Sequence, residues 1–521
     1  MKNTRSAKKK RVVRRVRAKA KAPRPIEVLV KRLNEIAYLS SAGVLLGWDQ
    51  DVHMPEKGAD ARSVTAAHLA SVVHTKLLAI DEGGLLARLK RQADRGELRG
   101  KGATIVQETW RTWQRQKKLP SAFVAQRAQT ESRAHRVWLE ARRTSDFKLF
   151  LPHLRQIVEL KREEARLVGY KDSPYDALLD TYEPGFTTAA ATVILNELKD
   201  FLIPFLKELK SSKVKVDPKR TLGHFPLSEQ RVFNEMIAKK MGFDFAAGRL
   251  DEAVHPSTIT LHHSDVRITT RYREGDLLYS LGSTIHETGH ALYEQSLPSE
   301  HFGTPLGEAV SFGVHESQSR LWENNIGKSD AFWRYFYPRL QRVFPRPFKS
   351  ISRHDLIRTI NQVKPSLIRT EADEVTYNLH IILRFEIERE MVEGTIALED
   401  IPAIWRAKMR EYLGIEVGSD REGALQDVHW SAGCIGYFPT YALGNIYAAQ
   451  LSRAMHRAIP DLDLRIAKGD LATPREWLRK HVHIHGKTYE AASLIKRATG
   501  EYPTSRAFTD YLSEKYRALY L

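Results

Sequence analysis

The spacing of apolar and polar residues predicts a mostly α-helical chain. In the first half, apolar residues recur at intervals of three and four, and prolines, glycines or short polar stretches separate the periodic segments. The predicted helices of this half are Ile26–Asp51, Ala59–Gly83, Leu85–Arg99, Ala103–Lys117, Ser121–Thr144, Leu149–Leu167 and Thr188–Leu209. A proline inside a helix removes a backbone donor, so Pro204 is expected to kink or break the last of these helices.

Strand patterns are concentrated in one part of the chain. Thr258–His262 and Val266–Tyr272 are rich in threonine, isoleucine and valine, and a polar break separates them. This pattern predicts a small β-sheet immediately before the next helix. Its edge is suited to pair with an extended peptide; the alternative is a hairpin that only covers the core.

Helical periodicity returns after these strands. The predicted helices are Asp276–Gln295, Thr304–Gly327, Asp330–Val343 and Leu367–Glu393. Glycine, aromatic and polar residues are closely spaced between Gly423 and Gln450, a composition suited to the wall of a ligand pocket. His429, Tyr437 and Tyr441 are candidate hydrogen-bond donors there, and ordinary burial in the core is the alternative interpretation.

Composition narrows the class of protein. The 521 residues are 42% hydrophobic, enough to bury a large core, and contain no apolar run of about 18 residues, so no membrane-spanning helix is expected. There is no internal repeat and no Gly/Ser linker, so residues 23–521 are interpreted as a single domain. Cys434 is the only cysteine, which excludes an intramolecular disulfide and, without an apolar signal segment, favours a cytoplasmic location.

The net charge of +19 is concentrated in residues 1–22. They contain 11 Lys or Arg and no acid, and subtracting these 11 charges from +19 leaves +8 for the other residues. The low apolar content predicts a disordered basic tail. Contact with nucleic acid, contact with an anionic surface, a targeting segment and a solvated tail without a partner are the interpretations left open.

The predicted helix Asp276–Gln295 contains the most informative chemistry. His286 and His290 are four residues apart, so their imidazoles lie one turn apart and can both reach one zinc ion at about 2.0–2.1 Å. Glu287 is placed to take a proton from the attacking water, as in other H-E-x-x-H sites. A catalytic zinc site needs a third protein ligand, and the candidate is Glu316, 26 residues after His290 on the next predicted helix.

One competing class of zinc peptidase is disfavoured by the residues that follow this motif. A metzincin has glycine and histidine three and six residues after the second histidine. This chain has Tyr293 and Ser296 at those positions. The class with a glutamate ligand is therefore favoured.

Seven short motifs occur in order along the chain. They are GWDQ at Gly47–Gln50, YDALLDTYEPG at Tyr175–Gly185, DVRITTRY at Asp265–Tyr272, HETGHALYEQ at His286–Gln295, HESQSR at His315–Arg320, IRTEAD at Ile368–Asp373 and GALQDVHW at Gly423–Trp430. Together they resemble the carboxypeptidase Taq family of zinc metallocarboxypeptidases over nearly the whole chain after the basic tail. The resemblance implies a neurolysin-like HExxH zincin with a long substrate groove, removal of single C-terminal residues with broad specificity, and a homodimer.

The resemblance also implies roles for individual residues at the metal. His286, His290 and Glu316 would bind Zn²⁺, with Co²⁺ as an alternative, and Glu287 would be the general base for attack of a zinc-activated water. Acids that accept a hydrogen bond from the second ring nitrogen of a zinc-bound histidine orient its ring, and Asp373 is a candidate for that role.

Further residues are implied to act on the substrate peptide. Arg369 would hold its terminal carboxylate, with Glu371 and Asp373 fixing the guanidinium at the start of a helix. His429 and Tyr441 would position the substrate and stabilise the oxyanion.

His255 is a further implied substrate-binding residue, and it lies in a segment that departs from the family pattern. Family members usually have His-Pro-Phe where this chain has His255-Pro256-Ser257. The loss of the ring is expected to change packing around the groove and leave the metal site intact.

Two other functions are alternatives to a carboxypeptidase. A zinc oligopeptidase would cut peptides internally and would lack a fixed cation facing the C-terminal carboxylate. A non-catalytic polyanion-binding protein would depend on the basic tail, but the complete set of metal ligands and base disfavours it.

Overall fold

The computed structural model describes residues 23–214, 216–217 and 221–521. The helices are α1 Pro25–Val52, α2 Ala59–Leu78, α3 Leu85–Asp94, α4 Gly100–Lys117, α5 Ser121–Thr144, α6 Phe147–Val168, α7 Pro174–Leu179, α8 Thr188–Lys210, α9 Leu227–Met241, α10 Leu277–Ser296, α11 Phe312–Arg320, α12 Asp330–Val343, α13 Arg353–Ile360, α14 Tyr377–Glu393, α15 Ile401–Leu413, α16 Pro439–Ala458, α17 Leu462–Ala467, α18 Ala472–His481, α19 Ala491–Thr499 and α20 Arg506–Tyr520. The prediction of a mostly helical fold is confirmed.

One small sheet lies beside α10. Its strands are β1 Gly248–Glu252, β2 Ser257–His262 and β3 Asp265–Thr270, in the order β1-β3-β2. Strand β3 pairs parallel to β1 and antiparallel to β2. The two predicted strands are confirmed, and β2 is an edge strand, whereas β1 was not predicted.

Two predicted helices begin later in the structure than in the sequence analysis. The predicted helix Thr304–Gly327 begins at Phe312, where the Ser311 side chain caps it, and continues as a π-helix over Leu321–Gly327. The predicted helix Leu367–Glu393 begins only at Tyr377.

The late start of α14 has a local cause. Asp373 accepts hydrogen bonds from the backbone N–H groups of Val375 and Thr376, which starts a new turn of the chain just before α14. The preceding Arg369–Glu371 segment is a separate 3₁₀ turn. The predicted placement of Arg369 at the start of a long helix is therefore wrong.

A kink or break is predicted at Pro204, and no break occurs there, because α8 runs through the proline as one helix. Leu198, Leu202, Phe205 and Leu206 are buried along α8 on both sides of the proline. Burial of such a face stabilises a helix more than the propensity of single residues does.

The described residues contain one helical stretch, Glu56–Asp94, that is long and apolar enough to cross a membrane by length and composition alone. The backbone leaves the helical region inside this stretch, at Glu82 and Gly83. Helices of soluble proteins pass the same test, so this stretch does not support a membrane span.

Buried apolar side chains form a main core, a smaller core and a cluster of six residues where the sheet packs against α9 and α10. The main core is built from helices between α5 and α20, and the smaller core from α1, α3, α4 and Leu306. Residues 1–22, where a disordered tail is predicted, lie outside the described residues. The assignment of residues 23–521 to a single domain stays a prediction.

Candidate active site

Two adjacent helices bring together the three predicted metal ligands. His286 and His290 lie on α10, and Glu316 lies on α11. The Oε2 atom of Glu316 is 3.8 Å from Nε2 of His286 and 3.4 Å from Nε2 of His290. The three ligand atoms lie within 4.8 Å of one another.

Two glycines allow this close approach of the helices. A Cβ atom on Gly289, inside the H-E-x-x-H motif, would lie 2.6 Å from the Cα of Ser319 on α11. A Cβ atom on Gly444 of α16 would lie 2.4 Å from the Cγ of Glu316. Real Cβ atoms do not approach other atoms this closely, so α10, α11 and α16 can pack as observed only because these residues are glycines.

Glu323 in the π-helix supports one of the histidines. Its Oε2 is 2.8 Å from Nδ1 of His286, so the other ring nitrogen of His286 faces Glu316. Arg320 bridges the two acids, with Nε 2.6 Å from Glu316 and Nη1 3.3 Å from Glu323. Despite burial, which raises it, the pKa of Glu316 lies well below its usual value, because Arg320 and His286 stabilise the carboxylate.

The residues present fit a divalent metal ion. Burial lowers the pKa of His290 to about 3, so its imidazole is neutral and offers a lone pair. Two ligands held about 2 Å from one zinc ion in tetrahedral geometry are about 3.4 Å apart, close to the distances that separate these nitrogens from Glu316. Two imidazoles and one carboxylate are also the donor set of a catalytic zinc site.

Glu287 lies beside these ligands and is 7% exposed. The hydroxyl of Thr258, on β2, donates to its Oε2 at 2.6 Å and lies 3.1 Å from its carbonyl oxygen. Burial raises the pKa of Glu287, while His286 and the Thr258 hydrogen bond oppose that rise. The carboxylate is therefore fixed in orientation by the edge strand of the sheet.

The metal-ligand cluster opens onto a cavity of about 1100 Å³, which we call the main cavity. Its volume exceeds the range of about 300–1,000 Å³ typical of small-molecule sites. Among the predicted site residues, the main cavity is lined by His255, His286, Glu287, His290, Glu316 and Tyr441.

Aromatic rings form one wall of the main cavity. Tyr437 contacts the rings of Tyr182, Phe312 and Tyr441 at centroid distances between 5.0 and 5.3 Å. His429 lies behind this wall, with Nε2 3.3 Å from the hydroxyl of Tyr441. His429 is thus in contact with a lining residue without lining the cavity itself.

Arg369 also lies behind the residues that line the main cavity, with its guanidinium 4.9 Å from the ring of Tyr441, and it is 5% exposed. Its Nε and Nη2 donate to Asp427 Oδ1 at 3.0 and 2.8 Å, and its Nη1 donates to the Tyr377 hydroxyl at 3.1 Å. Arg384 donates to the other oxygen of Asp427 at 2.7 Å. We call Arg369, Arg384 and Asp427 the arginine cluster, and together these side chains carry a net charge of +1.

The acids predicted to fix Arg369 do not do so. Glu371 is exposed, and Asp373 accepts backbone N–H groups, including that of Lys364 at 2.9 Å. The predicted role of Asp373 in orienting a zinc histidine is wrong, because its carboxylate binds these backbone groups. Glu323 is the acid that contacts the second ring nitrogen of His286. Asp427 is 58 residues from Arg369 in the chain, so no local pattern could reveal this pair.

His255 lines the main cavity, and Ser257 follows it at the start of β2. The Ser257 hydroxyl lies 3.0 Å from that of Thr269 on β3, and its backbone N–H donates to the same hydroxyl. A polar pair therefore stands where the resemblance to the family predicts a phenylalanine ring.

Three residues of the site were missed by the sequence analysis. Thr258 carries no signal beyond its place in a predicted strand. Glu323 is seven residues after Glu316, on the same face of a predicted helix, and this spacing was an available signal. His315, within the quoted HESQSR motif, stacks on His290 at 4.5 Å and bonds Glu294 at 2.8 Å.

Comparison with known proteins agrees with this geometry. The model of the family described as carboxypeptidase Taq (M32) metallopeptidase matches residues 28–516. Carboxypeptidase 1 of Bacillus subtilis (strain 168) is 40% identical over 489 residues, 94% of this chain and 97% of that protein. Thermostable carboxypeptidase 1 of Thermus thermophilus is 40% identical over 501 residues, 94% of this chain and 98% of that protein.

A solved structure supports the same assignment. The crystal structure of the M32 carboxypeptidase from Deinococcus radiodurans R1 superposes with a TM-score of 0.92 at 36% identity, covering 95% of this chain and 99% of that one. Family match, sequence identity and fold all extend over nearly the full length. The chain therefore belongs to the carboxypeptidase Taq (M32) family of metallopeptidases and is a metallocarboxypeptidase.

Proposed function

We propose that this enzyme releases single C-terminal residues from peptides with broad specificity, as a neurolysin-like zincin. The observation that carries the proposal is the convergence of His286, His290 and Glu316 beside Glu287 on the main cavity. Broad specificity is supported by the size of this cavity, which leaves room for different side chains.

His286, His290 and Glu316 would hold Zn²⁺, with Co²⁺ as an alternative. When bound, the ion supplies Lewis acidity and makes water a better nucleophile near neutral pH. Glu287 takes a proton from the attacking water and delivers it to the leaving nitrogen of the scissile amide. Thr258 holds one carboxylate oxygen, so the other is free of that bond for proton transfer.

Tyr441 is proposed to donate its hydroxyl to the developing oxyanion. It lines the main cavity, and His429 lies 3.3 Å from its hydroxyl on the far side. Burial lowers the pKa of His429 to about 4, and a neutral imidazole whose Nε2–H donates to the Tyr441 oxygen leaves the hydroxyl proton free for the oxyanion.

Recognition of the terminal carboxylate is assigned to the arginine cluster. Its net positive charge lies directly behind Tyr441, whose ring is 4.9 Å from the guanidinium of Arg369. A negative group in the cavity near Tyr441 and His255 would be attracted to this charge, since a buried charge is poorly screened by solvent. Full contact with Arg369 would require its hydrogen bonds to Asp427 or Tyr377 to be rearranged.

Internal cleavage by an oligopeptidase is the second candidate, because Arg369 does not line the cavity. A peptide with a free C-terminus and its amidated twin separate the two functions. We expect mass spectrometry to show loss of one C-terminal residue from the free peptide only. Equal cleavage of the amidated twin, or internal fragments from both, would favour the oligopeptidase.

Assembly and location are proposed on the family resemblance and composition alone. We propose a homodimer in the cytoplasm. Sedimentation equilibrium of the full chain tests the dimer, and a purely monomeric mass at micromolar concentration would contradict it.

A further inference from the structure

The lining of the main cavity is divided by charge. Three acids, Glu287, Glu294 and Glu316, lie at the metal-ligand cluster on α10 and α11. The rest of the lining contains one acid, Asp180, and five cations: Lys90, Arg111, Arg115, Lys118 and Lys487. A bound peptide therefore meets acidic groups near the metal site and basic groups elsewhere.

Three of these cations come from one side of α4 and the residue after it. Arg111, Arg115 and Lys118 are spaced by four and three residues, so they lie on one helical face. The opposite face, with Val106 and Trp113, is buried in the smaller core. We call these three cations the basic wall.

Arg111 and Arg115 of the basic wall form ion pairs, and so do the other two cations of the lining, Lys90 with Asp94 and Lys487 with Glu308. Arg111 lies 3.4 Å from Asp180 and 3.4 Å from Glu108, and Arg115 lies 3.2 Å from Glu164. Lys118 donates to the carbonyl of Val168 at 2.5 Å. Within the described residues, no carboxylate lies within 4.0 Å of the Lys118 amine, so its charge is the one most available to a ligand.

We propose that the basic wall makes the enzyme prefer peptides with acidic residues upstream of the scissile bond. The inference rests on the proposed carboxypeptidase function, in which only one residue lies beyond the scissile bond. The remaining cavity must then hold the upstream part of the peptide, along the basic wall. Glutamate or aspartate side chains there gain charge-assisted hydrogen bonds, whereas lysine or arginine side chains are repelled.

Two synthetic peptides test this preference. They share length and C-terminal residue, and differ only in carrying three glutamates or three lysines at upstream positions. We expect kcat/KM for release of the C-terminal residue to be at least about threefold higher for the glutamate peptide, the size expected for partly exposed pairs. The ratio should shrink at high salt, because exposed charges are screened.

Two charge-reversal variants test whether the preference depends on the basic wall. Lys118→Glu should bring the ratio to one or below, since it replaces an attraction with a repulsion. Lys117→Glu is the matched control, because it changes net charge equally but Lys117 lies 4.5 Å from the Trp113 ring and does not line the main cavity. Lys117→Glu should keep the wild-type ratio.

The outcomes separate this proposal from the proposed function. If wild type releases a residue from both peptides with equal kcat/KM, or if both variants shift the ratio alike, the basic wall proposal is overturned. If wild type releases no C-terminal residue from either peptide or from an uncharged one of the same length, the proposed carboxypeptidase function itself fails.

Discussion

A single hydroxyl group connects the edge strand of the sheet to the proposed general base. Thr258 donates to Glu287 at 2.6 Å, and β2 holds Thr258 in register through its pairing with Ile268 of β3. A carboxylate that must accept a proton from one direction and deliver it in another works best when its rotation is fixed. Thr258 is therefore a positioning residue that acts through Glu287.

Replacing Thr258 by valine removes this hydrogen bond and keeps the shape of the side chain. A hydrogen bond to a charged group contributes about 1.5–3 kcal/mol, so we expect kcat to fall about tenfold or more with little change in KM. Thr258→Ser should restore most of kcat. Steady-state kinetics at matched metal content measures both effects.

Two further variants serve as a control and as a reference for this result. Thr260→Val, two residues along the same face of β2, should leave kcat unchanged. Glu287→Gln should retain metal and lower kcat at least about 10²-fold, as expected when a general base is removed. Wild-type kcat in Thr258→Val, or no recovery with serine, would refute the positioning role.

At the scale of elements, the packing of α10 against α11 determines whether the proposed metal ligands can meet. Glu316 can reach the histidines only because the backbone of α11 passes over Gly289. The glycine inside the H-E-x-x-H motif thus serves helix packing, and helix propensity alone would disfavour it.

Gly289→Ala should destabilise the protein and loosen the metal site. The added Cβ meets backbone atoms of Gln318 and Ser319, which cannot move away as a side chain would. Overpacking of this kind costs about 1–3 kcal/mol. We expect a lower free energy of unfolding in denaturant titrations and weaker metal retention against a chelator.

Gly282→Ala on the same helix is the matched control. A Cβ there meets nothing within 4 Å, so replacing glycine should raise the free energy of unfolding by about 0.5–1 kcal/mol through helix propensity. If both substitutions changed stability alike, close packing at Gly289 would not be the cause.

The elements differ in how far the sequence could predict them. Helix α10 was predictable because its apolar face, cap and metal motif are all local. Strand β1 was missed because its five residues, GRLDE, carry no strand pattern. Backbone pairing with β3 stabilises this strand in the absence of strand propensity. The arginine cluster was unpredictable, since Arg369, Arg384 and Asp427 come from three distant segments joined only by the fold.

At the scale of the whole molecule, the main cavity lies between the two cores. The basic wall belongs to α4, which is packed in the smaller core, whereas the proposed metal ligands belong to helices of the main core. Local periodicity predicted the helices on both sides. The placement of these helices on opposite sides of the main cavity depends on contacts between segments that are distant in the sequence, which local periodicity does not predict.

The basic tail, residues 1–22, lies outside the family match. Residues 1–22 carry 11 of the chain's positive charges, and the family model begins at residue 28. Deleting them should leave peptide hydrolysis within about twofold of wild type, because every residue proposed for chemistry lies between His255 and Tyr441. Any binding to nucleic acid or anionic vesicles should weaken. Each Lys or Arg that contacts a phosphate releases about one counterion, so removing these cations lowers the salt-dependent part of the affinity. Peptide assays and binding titrations at two salt concentrations measure both properties. A truncated enzyme that retains its fold and metal but cannot cleave peptides would show that this segment takes part in catalysis.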